Sequence, residues 1–318
     1  MPRFTAGASA LIVVICGALA AAPVAQGDPA PLLRVEGPRT TLDPGTAYVT
    51  GTEALPAATE AGCTATPKFH RVEGATALGL LGSAFETTRL LQPLGITEDE
   101  FGLRVCRIDE FVERDVPFSG WLYRVNHKSP PVGAALRKVA GADEVLWFFA
   151  NYGANLNTGD ELVLAAPPRA RPGVVEVRVF AYSFDGTRSA APDGTRVTGG
   201  TKVARTKDGV ARVNVAEGDF LLRAVHPPDI ASRAMSVCVR PEVGACPARR
   251  GRVIVGTRRS DRIIGTPGPD VIRARRGADR ISVRAGGPDV ISCGPGRDTV
   301  VVSPNDSPRD SCEVKIRR

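Results

Sequence analysis

A chain of 318 residues has room for two or three folded regions rather than one core, and its apolar run at 10–22 is too short to cross a bilayer. The formal charge of +7 is concentrated in residues 249–318, where sixteen basic residues face eight acidic ones. A basic surface of this kind attracts acidic polymers, but the segment has no aromatic residue to stack on bases, which excludes a nucleic-acid partner and leaves an anionic cell-envelope polymer.

The first element is a signal peptide, residues 1–27: Arg3, an apolar run interrupted only by Gly17, and a small-residue exit at Ala25-Gln26-Gly27. No later segment approaches the length of a membrane span, so the mature chain is expected to be exported, either secreted or held at the cell surface. Six cysteines follow: Cys63, Cys106, Cys238, Cys246, Cys293 and Cys312. An even number in an exported chain, with no Cys-x-x-Cys pair, points to disulfides rather than zinc. Six cysteines allow about fifteen connectivities. Proximity in sequence favours Cys63 with Cys106, Cys238 with Cys246, and Cys293 with Cys312.

Residues 28–166 form the next expected region. Apolar spacing at Leu78, Leu81, Phe85 and Leu90 predicts a helix over 75–91, and alternation predicts a half-buried strand over 102–109. A more specific pattern follows: Gly120, Trp121, Tyr123, Val125 and Asn126, then Val132, Gly133 and Ala134, then Val145 and Trp147. These residues, in this order and spacing over about 70–150, resemble the bacterial extracellular domain related to the C-terminal domain of transcobalamin and intrinsic factor. His127 stands where that family has a turn glycine, and Ala142-Asp143 replaces its Gly-Asp. The resemblance implies a small α+β fold with Trp121 and Tyr123 packed on one helix. It also offers two roles for Trp121, Tyr123 and Trp147, namely core packing or contact with a corrinoid-like small molecule.

A Pro- and Gly-rich linker spans 167–173. Short alternating runs at 174–182, 196–198, 202–206, 210–215, 220–225 and 234–239, separated by Asp-Gly, Gly-Gly and Glu-Gly turns, predict an antiparallel β-sandwich over 174–241. The turn pattern is similar to that of transthyretin-like sandwiches.

From 249 to 318 the chain repeats about every nine residues: GTRRSDRII from Gly256, GTPGPDVIR from Gly265, ARRGADRIS from Ala274, RAGGPDVIS from Arg284 and CGPGRDTVV from Cys293. Asp261, Asp270, Asp279, Asp289 and Asp298 are each followed two places later by Ile263, Ile272, Ile281, Ile291 or Val300. The unit resembles the glycine-rich nonapeptide of repeats-in-toxin proteins, which implies a parallel β-roll with inward aliphatics and Ca²⁺ held by turn aspartates. On that resemblance Asp270 shares an edge with Asp289, and Asp279 with Asp298. Arginines in the turns (Arg258, Arg259, Arg275, Arg276, Arg284, Arg297) work against a divalent ion. At ~6 Å in a water-like dielectric each repels it by about 1.4 kcal/mol, a figure salt roughly halves. Two readings stay open: a Ca²⁺-binding roll, and a roll in which Asp–Arg pairs have replaced the metal.

No catalytic motif is present; His70, His127 and His226 are far apart and none belongs to a metal-spaced pair. The expectation is a mainly β, multidomain, non-enzymatic exported protein ending in a calcium-binding-type roll. The alternatives are a small-molecule binder built on Trp121 and Trp147, and a wall-binding adhesin built on the basic tail.

Overall fold

A computed structural model of the chain describes residues 30–51, 53–55, 63, 70–72, 74–88, 91–100, 102–115, 118–151, 158–247, 249–283, 287–309 and 311–317, so the expected signal segment lies outside the described residues. The fold is mainly β, with several sheets and, among the described residues, one α-helix. No helix there is long and apolar enough to cross a membrane.

The organising strand is Leu32–Glu36, which pairs antiparallel with Thr41–Tyr48 and parallel with Glu144–Asn151. All of its residues are buried, since both of its faces are covered. Leu33 and Val35 enter the N-terminal core, whereas Arg34 and Glu36 reach Glu161 and Arg223 of the middle unit. Strand Glu144–Asn151 divides in the same way: Val145 and Trp147 join the N-terminal core, while Leu146, Phe148 and Ala150 cluster with Ile230. Burial on both faces explains why V-L-W-F-F-A lacks the polar alternation of a half-exposed strand.

The helix is Ala77–Phe85, shorter at both ends than the expected 75–91. Thr76 caps it, its hydroxyl accepting from the Gly79 N–H at 3.0 Å, and Leu78, Leu80, Leu81 and Ala84 fill the core. The Glu86 N–H closes the last turn on the Gly82 carbonyl at 3.2 Å. Leu91 stays buried in the same core after the chain has left the helix, so apolar spacing outlasts helical backbone here. Removing the cap with Thr76→Ala is expected to cost about 1 kcal/mol, read as a lower thermal midpoint with unchanged β signal.

Two sheets share the middle core. One holds Glu161–Ala165, Gly173–Tyr182, Arg188–Ala190 and Val210–Val215; the other holds Arg169–Ala170, Met235–Val239, Gly218–Val225, Arg196–Thr198 and Ala204–Arg205. In Gly173–Tyr182 the alternate residues Val175, Val177, Val179 and Ala181 point inward, which is what made this region legible. Two expectations are corrected here. Glu161–Ala165, placed by sequence in the region 28–166, pairs with Gly173–Tyr182 of the middle unit. Arg169–Ala170, inside the expected linker, pairs parallel with Cys238–Val239, so the second of these sheets is not purely antiparallel.

After Val253 the strands alternate between two parallel sheets. Val253–Val255, Val271–Arg273, Val290–Ser292 and Ser307–Pro308 form one; Arg262–Ile264, Arg280–Ser282, Thr299–Val302 and Val314–Arg317 form the other. The first continues the N-terminal sheet, because Ala47 and Tyr48 pair with Ile254 and Val255. The expected boundary at 249 is therefore bridged by one nine-stranded sheet. Leu32 and Ala47 also enter the apolar interior of the array. Three disulfides join Cys63 to Cys106, Cys238 to Cys246, and Cys293 to Cys312.

Candidate functional site

Each coil of the array is two nine-residue units: a strand of the first sheet, a turn, a strand of the second sheet, and a second turn. The residue two places after each aspartate, or after Arg252 in the first coil, stacks on its counterpart one coil away, Ile254 on Ile272 on Ile291 and Ile263 on Ile281 on Val300. All six are at most 1% exposed. The fourth-position glycines survive because stacked turns touch: a Cβ on Gly296 would lie 1.6 Å from the Gly277 carbonyl oxygen, and one on Gly277 2.2 Å from that of Arg259.

The aspartates line two edges, and all but Asp261 reach back one coil with one carboxylate oxygen. On the edge leading into the second sheet, Asp279 Oδ1 accepts from the Asp261 N–H and Asp298 Oδ1 from the Asp279 N–H, both at 2.8 Å. Glu313 closes that series on the Asp298 N–H at 2.8 Å. On the opposite edge, Asp270 accepts from the Arg252 N–H and Asp289 from the Asp270 N–H, both at 2.7 Å. Asp306 accepts from the Asp289 N–H at 3.1 Å. The structure thus brings Asp270 beside Asp289 and Asp279 beside Asp298, and adds Asp306 and Glu313.

The second carboxylate oxygen separates the aspartates into two kinds. Asp261 Oδ2 takes the Thr257 N–H at 2.6 Å and its Oδ1 takes the Thr257 hydroxyl at 2.9 Å; Asp270 holds the Thr266 N–H and hydroxyl in the same way. Asp306 takes the Ser303 N–H at 2.5 Å. The Oδ2 atoms of Asp279, Asp289 and Asp298 are buried and have no hydrogen-bond partner. Local backbone explains two of these. Where the second position is threonine, the turn folds over its aspartate. Where it is Arg275 or Gly294, the backbone enters the left-handed region at φ +78° and +92°, and the following Asp279 or Asp298 is left open.

Burial pushes the Asp279 carboxyl up to about 6, reinforced by the neighbouring Asp261 and Asp298. Burial likewise pushes Asp289 up to about 7, reinforced by Asp270 and Asp306. A buried carboxyl oxygen without a donor is relieved by a proton or by a cation. Among the described residues no three His, Cys, Asp or Glu side chains converge on one point, so a cation here would draw most of its oxygens from turn carbonyls. Asp261 and Asp270, expected as ligands, have both oxygens taken by protein donors.

Arginine is distributed unequally between the edges. The turns before Asp261, Asp279 and Asp298 carry Arg258, Arg259, Arg275, Arg276 and Arg297. The turn before Asp270 is Thr266-Pro267-Gly268-Pro269 and that before Asp306 is Ser303-Pro304-Asn305; Arg284 lies outside the described residues.

Of the two roles open to Trp121, Tyr123 and Trp147, packing is the one their contacts describe: Trp121 and Trp147 are in the core, and Tyr123 packs against it partly buried. Trp121 and Trp147 are 5% and 3% exposed. Trp147 stacks on Tyr123 at 5.3 Å between centroids, and Trp121 packs edge-on against Phe149 at 5.4 Å. The Trp121 indole N–H donates to the Phe111 carbonyl at 2.9 Å, and the Tyr123 hydroxyl donates to the Val132 carbonyl. These contacts are packing.

Sequence reasoning missed Thr257, Thr266, Asp306 and Glu313. The two threonines were legible, since Gly-Thr occurs only in the two units whose aspartates are fully bonded. Asp306 and Glu313 follow their edge partners by 17 and 15 residues, off the nine-residue count. No family model, no curated protein and no solved structure matches this chain.

Proposed function

We propose that this is a non-enzymatic exported protein whose C-terminal array is a parallel β-roll of the repeats-in-toxin type, with Ca²⁺ as its ligand. Three disulfides fit an oxidising compartment. The observation that carries the reading is the row of buried, unpartnered Oδ2 atoms on Asp279, Asp289 and Asp298. Unpaired carboxylate oxygens between stacked turns are hard donors of the kind Ca²⁺ takes.

Of the three, Asp289 is the foremost ligand, because it lies between Asp270 and Asp306, whose turns carry no arginine; Arg284 of its own turn lies outside the described residues. Ca²⁺ bound there supplies positive charge that neutralises the stacked carboxylates. The chain's own residues supply the rest: Asp270, Asp289 and Asp306 bond each coil to its neighbour, and Thr266 holds the first turn closed without metal. The N-terminal and middle units, which resemble the transcobalamin C-terminal-like domain and transthyretin-like sandwiches, serve as the body on which the roll is built.

The test is thermal unfolding of the full oxidised chain at pH 8 in chelator, in Ca²⁺ and in Mg²⁺. An ion that binds only the folded form stabilises it by about 2.7 kcal/mol at a hundred times its dissociation constant. The expected result is a midpoint raised by Ca²⁺ and not by Mg²⁺. Identical midpoints in all three conditions up to tens of millimolar would remove the metal from the reading.

A further inference from the structure

We propose that a groove lined by Arg258, Arg273, Arg275 and Arg276 binds a linear phosphate polymer that carries no bases. The groove encloses about 520 Å³, and Ser292, Gly294 and Pro295 complete its walls. It is built from three consecutive coils. Arg273 pairs with Val255 on one side and Ser292 on the other, so the lining repeats at the strand spacing, about 4.8 Å. A chain bearing a charge every few ångströms can meet a guanidinium at successive coils.

Among the described residues this cluster is only partly balanced, by Glu86 and Asp261 near Arg275. Among the described residues none of the four guanidiniums has a carboxylate within ion-pair distance. Arg275 makes one hydrogen bond, from Nη2 to the Glu86 carbonyl at 3.3 Å. Burial lowers its pKa, the charges of Arg258 and Arg276 lower it further, and Glu86 and Asp261 offset only part of this. A concave, self-repelling set of cations is a field that an anion relieves.

The backbone adds a separate observation. Arg275 sits at φ +78°, in the position where the next coil has Gly294 at φ +92°. Glycine is the unstrained residue there, so the arginine is held against a conformational cost. Cost retained for a charged side chain at a groove wall points to what that side chain contacts.

Phosphate follows from the donors. Every basic side chain lining the groove is arginine, whose planar fork matches tetrahedral oxyanions with paired hydrogen bonds. The absence of any aromatic residue from 249–318 disfavours a polymer read through its bases. This inference is independent of Ca²⁺, which is assigned first to the opposite edge.

The test is calorimetric titration of the full oxidised chain with linear inorganic polyphosphate, at about 50 and about 150 mM salt, in chelator and again in Ca²⁺. Poly-glutamate and single-stranded DNA are the comparison polymers. Polyphosphate is expected to bind most tightly, with and without Ca²⁺. The double variant Arg273→Gln/Arg276→Gln should weaken binding at least about tenfold and reduce the salt slope by roughly two. Arg178→Gln/Arg212→Gln, which removes the same charge from exposed strands of the middle unit, should leave binding unchanged. Arg275→Gly keeps the test free of folding artefacts: it should melt higher than the parent chain yet bind more weakly. Equal losses in the two double variants, unchanged binding by Arg275→Gly, no polyphosphate binding at either salt, or equal binding of poly-glutamate or DNA would each overturn the proposal.

Discussion

Replacing Glu161 with leucine is expected to destabilise the folded chain by about 3–5 kcal/mol, the range for stripping one partner from a buried ion pair. Arg34 and Glu161 are each 1% exposed, and Arg34 Nη2 donates to Glu161 Oε1 at 2.6 Å. The same carboxylate oxygen lies 3.1 Å from His127 Nδ1. Arg124, fully buried over the Phe148 ring, donates to the Tyr182 and Gly159 carbonyls and has Glu161 as the foremost of three nearby negative charges, with Asp160 and Asp229. Without Glu161, the two buried guanidiniums would keep only Glu144, 4.0 Å from Arg34, and Asp160 and Asp229 near Arg124. Replacing both partners, as in Arg34→Met/Glu161→Leu, should recover much of the loss, since an apolar pair of similar volume avoids desolvation. Urea denaturation of the single and double variants measures both quantities; a single variant within 1 kcal/mol of the parent (roughly the worth of an exposed pair) would show that this contact does not hold the units together. Burial alone would push the Glu161 carboxyl up, but the His127 hydrogen bond and the charges of Arg34 and Arg124 outweigh it, leaving it below the ordinary value. A lowered carboxyl contributes stability that is present above pH 4.5 and lost as the pH falls through its folded value, so acid should loosen this junction.

This junction was the part of the fold least visible in the sequence. Arg34 and Glu161 are 127 positions apart, and each reads as an ordinary polar residue. His127 was visible only as an oddity, a bulky residue at a turn position where the sequence pattern led one to expect glycine. The structure gives the reason: His127 holds φ +68° beside Asn126 at φ +50°, and from that turn it reaches Glu161 across the junction. Where one face of a strand is buried, periodicity sufficed, as in Gly102–Ile108 and in Val210–Val215, whose alternate residues Ala211, Val213 and Val215 turn inward. In Glu144–Asn151 both faces are covered and the period disappears. The coils of the array were legible wherever Asp and an aliphatic keep their spacing. Its ends were not, since Arg252 occupies the aspartate position of the first coil and Pro308 stacks on Ile291 in the last.

The metal-binding reading makes its sharpest prediction at Asp289, where one substitution should act with opposite signs in two buffers. Raised from 3.8 to about 7, this carboxyl costs at most about 4 kcal/mol to ionise in the folded state. Solvent at the turn edge screens part of that, leaving ~2 kcal/mol at pH 8. A raised carboxyl contributes stability that is complete below 3.8 and lost as the pH climbs through about 7, and Asp279 does the same through about 6. In chelator the protein should therefore be less stable at pH 8 than at pH 5 as far as these groups decide it. Asp289→Asn, which keeps an acceptor for the Asp270 N–H but has no charge, should then stabilise the metal-free protein at pH 8 by about 2 kcal/mol. In saturating Ca²⁺ the same variant should be the less stable of the two, because it has lost a charged oxygen donor. The Ca²⁺-linked gain of the parent should itself shrink as the pH falls from 8 to 5, as protons compete for the same oxygen. Thermal midpoints of parent and variant in four buffers, two pH values with and without Ca²⁺, decide the matter. A variant more stable than the parent in every buffer would mean that Asp289 holds a proton and the roll has no metal on this edge. A variant less stable in chelator as well would mean that the carboxylate is bonded within the protein, and the unpartnered oxygen would lose its meaning as a site.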